Sequence, residues 1–304
     1  MVKYIIKRLL VGLVTLWALV TLTFVLVHRM PGSPFDAENL SASQVEQLEE
    51  AYGLNEPEWK QYVIYMENLM HGELGISYKK NISVNTLIAR GAPYTIKVGL
   101  IAFGISAVIG IGIGIWMSVT KSQVVKNILL AYATLGVSVP AFVTGLYLML
   151  LFGVILGMFP VVGLTSPAHY VLPVAAQAFG PIATIARLTK STYMEATQMD
   201  YCIMAKAKGL STFQIMFKHV LKNALIPVIT YFGPAIAFTI TGSFVIEQIY
   251  SIPGIGREFT NAITNRDYTV VLGFSVFIGA LIIVSNLVVD VLCSIVDPRI
   301  KLTD

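Results

Sequence analysis

Residues 9–27 read LLVGLVTLWALVTLTFVLV, a run without one charge, and Lys3, Lys7 and Arg8 lie just before it. A bilayer core about 30 Å thick takes about 20 apolar residues to cross as a helix. The run is longer than the apolar core of a signal peptide, and His28-Arg29-Met30-Pro31 offers no small-residue cleavage site. It reads as an uncleaved first span. Further charge-free runs cover residues 98–119, 127–166, 223–246 and 268–289. The run 127–166 is too long for one crossing, so its end, residues 158–166, is expected to be a loop. Residues 171–186, VLPVAAQAFGPIATIA, carry Pro173, Gly180 and Pro181. Such a segment is tolerated inside a bundle, where neighbours satisfy the freed backbone groups. The expectation is an all-α polytopic protein with six transmembrane helices.

Composition agrees. Of the 304 residues, 56% are hydrophobic and only 12% charged, against about 25% charged in an ordinary soluble domain. A water-soluble domain could not hide that much apolar surface. Cys202 and Cys293 suggest neither a disulfide framework nor a metal site, and His28, His71, His169 and His219 are spaced unsuitably for a metal. No basic cluster with interleaved aromatics supports nucleic-acid binding.

Lysine and arginine set the orientation. With the N-terminus inside, 13 of the 21 basic residues fall on the inner side and 8 on the outer side or its span ends. Both termini are then cytoplasmic. The division expected is 1–30 for the N-terminus and first span, 31–93 for an extracytoplasmic segment, 94–297 for a core membrane domain and 298–304 for a cytoplasmic tail.

The segment 31–93 carries nine acids and four bases. Within it, SASQVEQLEEAYGL (41–54) reads as a short helix with Ser41 or Ser43 as N-cap and Gly53 as stop. Pro57 starts a second helix, EWKQYVIYMENLMHG (58–72), with Tyr62, Tyr65, Met66 and Leu69 on one face. That face can rest on the membrane surface or on a partner.

The inner loop 191–224 has helical order of its own. Residues 200–208 form a short helix in which Ala205 and Ala207 leave room for close packing, Gly209 ends it, and Ser211 or Thr212 caps the next. A short helix with a break at each side can seat in a partner's groove and pass force to two spans.

This loop, DYCIMAKAKGLSTFQIMFKHVLKNALIPV (200–228), resembles the EAA loop of ABC-importer permeases, in the form found in oligopeptide, dipeptide and nickel permeases. KYIIKRLL (3–10), EQIYSIPGIGREFTNAITNRDY (247–268) and DPRIK (297–301) are also similar to that family, specifically to its B-type subunit. The general motif's Glu falls on Ile203, with Asp200 the nearest acid, and its closing Pro is absent until Pro227. The resemblance implies a coupling helix between the fourth and fifth spans. Asp200, Tyr201, Ala205, Lys206, Ala207, Lys208, Gly209 and Leu210 would dock there on an ATPase. It also implies a C-type permease partner, two cytoplasmic ATPase subunits that carry the ATP and Mg, an extracytoplasmic solute-binding protein and a peptide substrate. The membrane would be the cytoplasmic membrane of a bacterium or archaeon.

The phosphate-binding pattern G-x-x-x-x-G-K-[ST] occurs nowhere in the chain, so this subunit would be non-catalytic and bind no cofactor itself. Gly110, Gly112 and Gly114 in IGIGIGIW lie inside an apolar run, which favours close helix packing over nucleotide binding. Gly136, Pro140, Gly145, Pro173, Gly180 and Pro181 mark either flexible segments along a path or ordinary kinks. Glu247 and Asp290 sit near span ends, close enough to an interface to reach water, as structural or gating contacts. The loop 247–268 reads as a lid over the outer mouth, with Glu247, Pro253, Gly254, Gly256, Arg257 and Asp267 as gate candidates. Nickel or another small solute fits the same architecture. An ion-driven carrier acting alone is the rival of another class.

Overall fold

The computed structural model describes residues 2–29, 35, 42–241 and 243–296. The helices are α1 (Val2–His28), α2 (Ala42–Ala51), α3 (Glu58–Met70), α4 (Val84–Val119), α5 (Gln123–Ser138) and α6 (Ala141–Leu148), which runs on as a π-helical turn, Met149–Ile155. They continue with α7 (Ala168–Thr197), α8 (Asp200–Ala207) and the single turn α9 (Thr212–Gln214), followed by a π-helical turn, Ile215–Val220. α10 (Leu221–Thr241), α11 (Ser243–Ile249), α12 (Ile255–Thr264) and α13 (Tyr268–Val296) complete the order. Among the described residues the sole β pairing is an isolated bridge between Ile76 and Ser83. Among the described residues, five helices are long and apolar enough to cross a membrane, with a sixth crossing if α5 and α6 count as one bent span.

That bend breaks the third span read from residues 127–166 without ending it, since α5 and α6 together can make one crossing, and the loop expected at its end, 158–166, is present. α5 and α6 turn by 108° at Val139 and Pro140. Pro140 has no N–H to continue the α5 ladder, and its ring disfavours helical geometry at Val139, which is extended. In contrast, α7 runs unbroken through Pro173 and Pro181 and reaches Thr197. The expected inner loop therefore starts about two helical turns later than residue 191. Ser43 lies inside α2 rather than capping it, and Ser41 falls outside the described residues. The expected tail, 298–304, also lies outside them.

The chain divides into two compact units, one of residues 1–5, 96–252 and 284–304, the other of residues 6–95 and 253–283. In the first, α7 is buried along most of its length, from Leu172 to Ala196. Small residues let its neighbours approach. A Cβ on Gly110 would stand 2.8 Å from Ile185 Cβ, and one on Gly114 would stand 2.7 Å from the Ala186 carbonyl. These glycines do serve close packing, although Gly112 faces open space. Ser106 Oγ donates to the Ala178 carbonyl at 3.2 Å, and Tyr250 Oη to that of Gly145 at 2.8 Å.

In the second unit, α1 shows one buried stripe, Val20, Phe24 and Val27, against a broad exposed apolar face including Leu10, Leu13, Val14 and Trp17. The apolar face of α3 packs on α1: Tyr62 stands edge-on to Phe24 at 5.3 Å, and its hydroxyl pairs with that of Thr21 at 2.7 Å.

Candidate functional site

The short helix expected over 200–208 is present as α8, Asp200–Ala207, with Lys208 as its C-cap. α7 ends, Met199 takes an extended conformation (ψ 149°), and α8 starts at Asp200. The acid in its first turn and Lys206 in its last both complement the helix dipole. Gly209 has φ +77°, a left-handed conformation that an L side chain resists. Around it, Gly209 N–H donates to the Lys206 carbonyl at 2.9 Å and Leu210 N–H to that of Ala205 at 3.2 Å. This is a Schellman closure, both bonds present. Ser211 then opens the next helix with a capping box: its Oγ accepts from Gln214 N–H, and Gln214 Oε1 accepts from Ser211 N–H. The turn between the helices is thus specified at both ends.

α8 has two faces. Cys202 and Ala205 are buried against Tyr193, Ala196, Ile215, Val220 and Ala224, with Tyr201 and Leu210 half-buried beside them. Cys202 Sγ donates to the Ala196 carbonyl at 3.2 Å. Burial pushes the Cys202 thiol up, against a smaller opposing pull from Lys206, and burial followed by Cys202 raises the Tyr201 phenol. The other face is exposed: Asp200, Ile203, Met204, Lys206, Ala207 and Lys208. Ala207 therefore leaves no room for packing within this chain; Ala205 alone does so. Sequence reasoning passed over the apolar part of the surface. Ile203 is 63% exposed, Met204 60% and Phe213 68%, and Phe213 lies 4.4 Å from Phe217, ring centre to ring centre. The signal was the F-x-x-x-F spacing in a polar loop, which places both rings on one helix face. Exposed large apolar groups beside lysines suit a protein–protein contact.

The gate candidates fall in different places. Glu247, expected to reach water, is fully buried in the first unit. It lies two residues before the end of α11, within packed side chains. The other five belong to the second unit. Pro253 is exposed, Gly254 and Gly256 are buried, and Arg257 is half-buried. Ile255 N–H donates to Thr95 Oγ1 at 2.9 Å, and a Cβ on Gly91 would stand 3.0 Å from Ile255 N, so α12 starts hard against α4. Asp267 is 3% exposed and accepts from Ser77 Oγ at 2.5 Å and from Tyr78 N–H at 3.2 Å. Lys80 pairs with Glu258 at 2.5 Å. Asp267 is a clasp between the loop before α4 and the loop before α13.

Residues 1–99 match the N-terminal part of binding-protein-dependent transport system membrane components, and residues 110–302 match the family described as binding-protein-dependent transport system inner membrane component. The chain is 42% identical to the oligopeptide transport system permease protein OppB of Haemophilus influenzae, covering 99% of this chain and 100% of that one. It is equally similar to the dipeptide transport system permease protein DppB of Bacillus subtilis, at 42% identity and 99% of each chain. Among solved structures, an inward-facing MetNI methionine ABC transporter matches with TM-score 0.59 at 18% identity, over 69% of this chain and 96% of that one, a likeness of fold. Full-length similarity, the membrane helices and the two-faced α8 agree: the chain belongs to the family of inner membrane components of binding-protein-dependent transport systems.

Proposed function

We propose that this chain is the B-type permease subunit of an ATP-driven importer of oligopeptides or dipeptides. It forms half of the translocation path beside a C-type permease, and α8 is where the work of a cytoplasmic ATPase enters. The observation that carries this reading is the construction of α8, half-embedded through Cys202 and Ala205, closed by Gly209, and open to a partner along Ile203, Met204, Lys206 and Lys208. A push on the exposed face is transmitted through the buried one to α7 and to the Ile215–Val220 turn that leads into α10. Two ATPases closing on ATP would drive a rigid-body change between two discrete states. ATP and Mg stay on those partners, and this chain does no covalent chemistry. An extracytoplasmic binding protein would deliver peptide to the side bearing residues 31–93 and the 247–268 loop, whose α12 serves as part of the outer lid. Both termini would be cytoplasmic, by the distribution of lysine and arginine.

The test is reconstitution. Proteoliposomes holding both permeases, both ATPases and the binding protein should accumulate labelled peptide with ATP and stop when the ATPases are omitted. Steady uptake by the permeases alone, driven by an ion gradient, would refute the reading. Competition with unlabelled nickel separates the peptide importer from a metal importer.

A further inference from the structure

The bend between α5 and α6 opens a cavity of about 250 Å³ inside the first unit, walled also by α7 and α10. Gly136, Pro140, Pro181, Tyr231 and Phe238 form much of its surface. Gln177 enters it from α7 and is 4% exposed. Its Nε2–H donates to the Thr239 carbonyl, while its Oε1 is buried and has no hydrogen-bond partner. A buried acceptor in that state carries its full desolvation penalty until a donor arrives.

Two backbone carbonyls of residues on the same wall lack their usual helical donor. Pro181 has no N–H to give the Gln177 carbonyl one turn back, and Pro140 has none for the Gly136 carbonyl. The Gly136 oxygen would lie 3.2 Å from a Cβ on Gly180, so a side chain there would press the two helices apart by a few tenths of an ångström. No Asp, Glu, Lys, Arg or His is found among the described residues lining the cavity. The site therefore offers acceptors without a counter-charge. A free ammonium would be buried there unpaired, at high cost; a neutral N–H would not. The volume lies just below the ordinary range for ligand pockets, about 300–1,000 Å³, and suits a short piece of chain rather than a large side chain.

From this we infer that the cavity is a subsite for uncharged peptide backbone, one main-chain N–H of the cargo donating to Gln177 Oε1. The inference rests on the peptide-import reading and adds to it a recognition rule. Contact with the main chain, through an acceptor and two small residues, admits peptides regardless of side chain.

The experiment uses the assembled importer in proteoliposomes and compares uptake of trialanine with that of trialanine N-methylated at its central nitrogen. One net hydrogen bond corresponds to about a five- to tenfold effect. The ratio of uptake for the two peptides should therefore be five to ten times larger in wild type than in Gln177→Met. Any discrimination by the binding protein is common to both and cancels. Gln177→Glu as the neutral acid, its hydroxyl donating to the Thr239 carbonyl and its own carbonyl still accepting, should keep the wild-type ratio. Equal ratios in wild type and Gln177→Met, with trialanine still imported, overturn the subsite and leave the peptide reading standing. Failure of wild type to import trialanine at all, with another solute carried, overturns the peptide reading itself. If Gln177→Met does not assemble, photocrosslinking decides. Phe238→p-benzoylphenylalanine should capture radiolabelled trialanine during turnover, and turnover without capture refutes the site.

Discussion

Asp267 and Ser77 are separated by 190 positions in sequence, yet the carboxylate accepts the hydroxyl at 2.5 Å in a pocket closed to solvent. The same carboxylate takes Tyr78 N–H. Asp267→Ala would leave the buried Ser77 hydroxyl and the part-buried Tyr78 N–H without this acceptor, along with the longer contact from Lys79 N–H at 3.5 Å. Hydrogen bonds to charged groups contribute about 1.5–3 kcal/mol each, so the loss expected is on the order of 3 kcal/mol. Thermal unfolding of the purified importer in detergent measures it. Asp267→Asn, which can still accept one bond, should fall between wild type and Asp267→Ala.

Gly112 and Gly114 are two residues apart on α4 and predict opposite outcomes. A Cβ at Gly114 would meet Thr189 Cβ at 2.5 Å and the Ala186 carbonyl at 2.7 Å, and at Gly112 it would meet nothing within 4 Å. Gly114→Ala should destabilise by about 1–3 kcal/mol through overpacking. Gly112→Ala should be neutral or stabilise by about 0.5 kcal/mol, because alanine is the better helix former. The same unfolding assay tests both variants.

Much of this was legible beforehand, for a physical reason. A hydrocarbon solvent forbids charge, so the spans announce themselves as runs, and Gly209 announces a left-handed turn that other residues avoid. Hydropathy carries no direction, however. The apolar run 127–166 has no charge to mark where the chain turns, and Gly136, Pro140 and Gly145 read alike as kinks or flexible points, without showing which one turns the helix by 108°. Pro173 and Pro181 look alike in sequence but interrupt nothing, because α7 is enclosed by neighbours. Glu247 was placed near water by its distance along the span, while its burial depends on contacts between distant segments. Gln177 is the one amide within VLPVAAQAFGPIATIA, and an amide in a proline-broken span is its only trace in the sequence.

Cys202 gives a pH test of the seat of α8. Its thiol is pushed above its ordinary value of 9.0, chiefly by burial. The folded state therefore holds the proton more tightly than the unfolded one. The stability this group contributes is complete below about pH 9 and falls as pH rises beyond it. In a Cys293→Ser background, maleimide labelling at pH 7.5 should be slow in the intact importer and accelerate steeply on denaturation. Fast labelling of the folded protein at pH 7.5 would mean that α8 is not seated through Cys202.

The exposed apolar groups beside the lysines predict where the ATPase sits. Replacing Ile203 and Met204 together with serine leaves Cys202 and Ala205 in place, so insertion and folding should persist. ATPase co-purification should drop by about tenfold or more, the loss expected when central apolar anchors are truncated. Pull-down at constant permease level is the measurement.

The most direct test of the central claim is the ratio of ATP hydrolysed to peptide imported by the reconstituted complex carrying Gly209→Val. A β-branched residue at φ +77° is strongly disfavoured, so the turn closing α8 should open while the spans remain inserted. The account predicts that hydrolysis continues and import falls at least tenfold, raising the ratio accordingly. An unchanged ratio with undiminished import would contradict it.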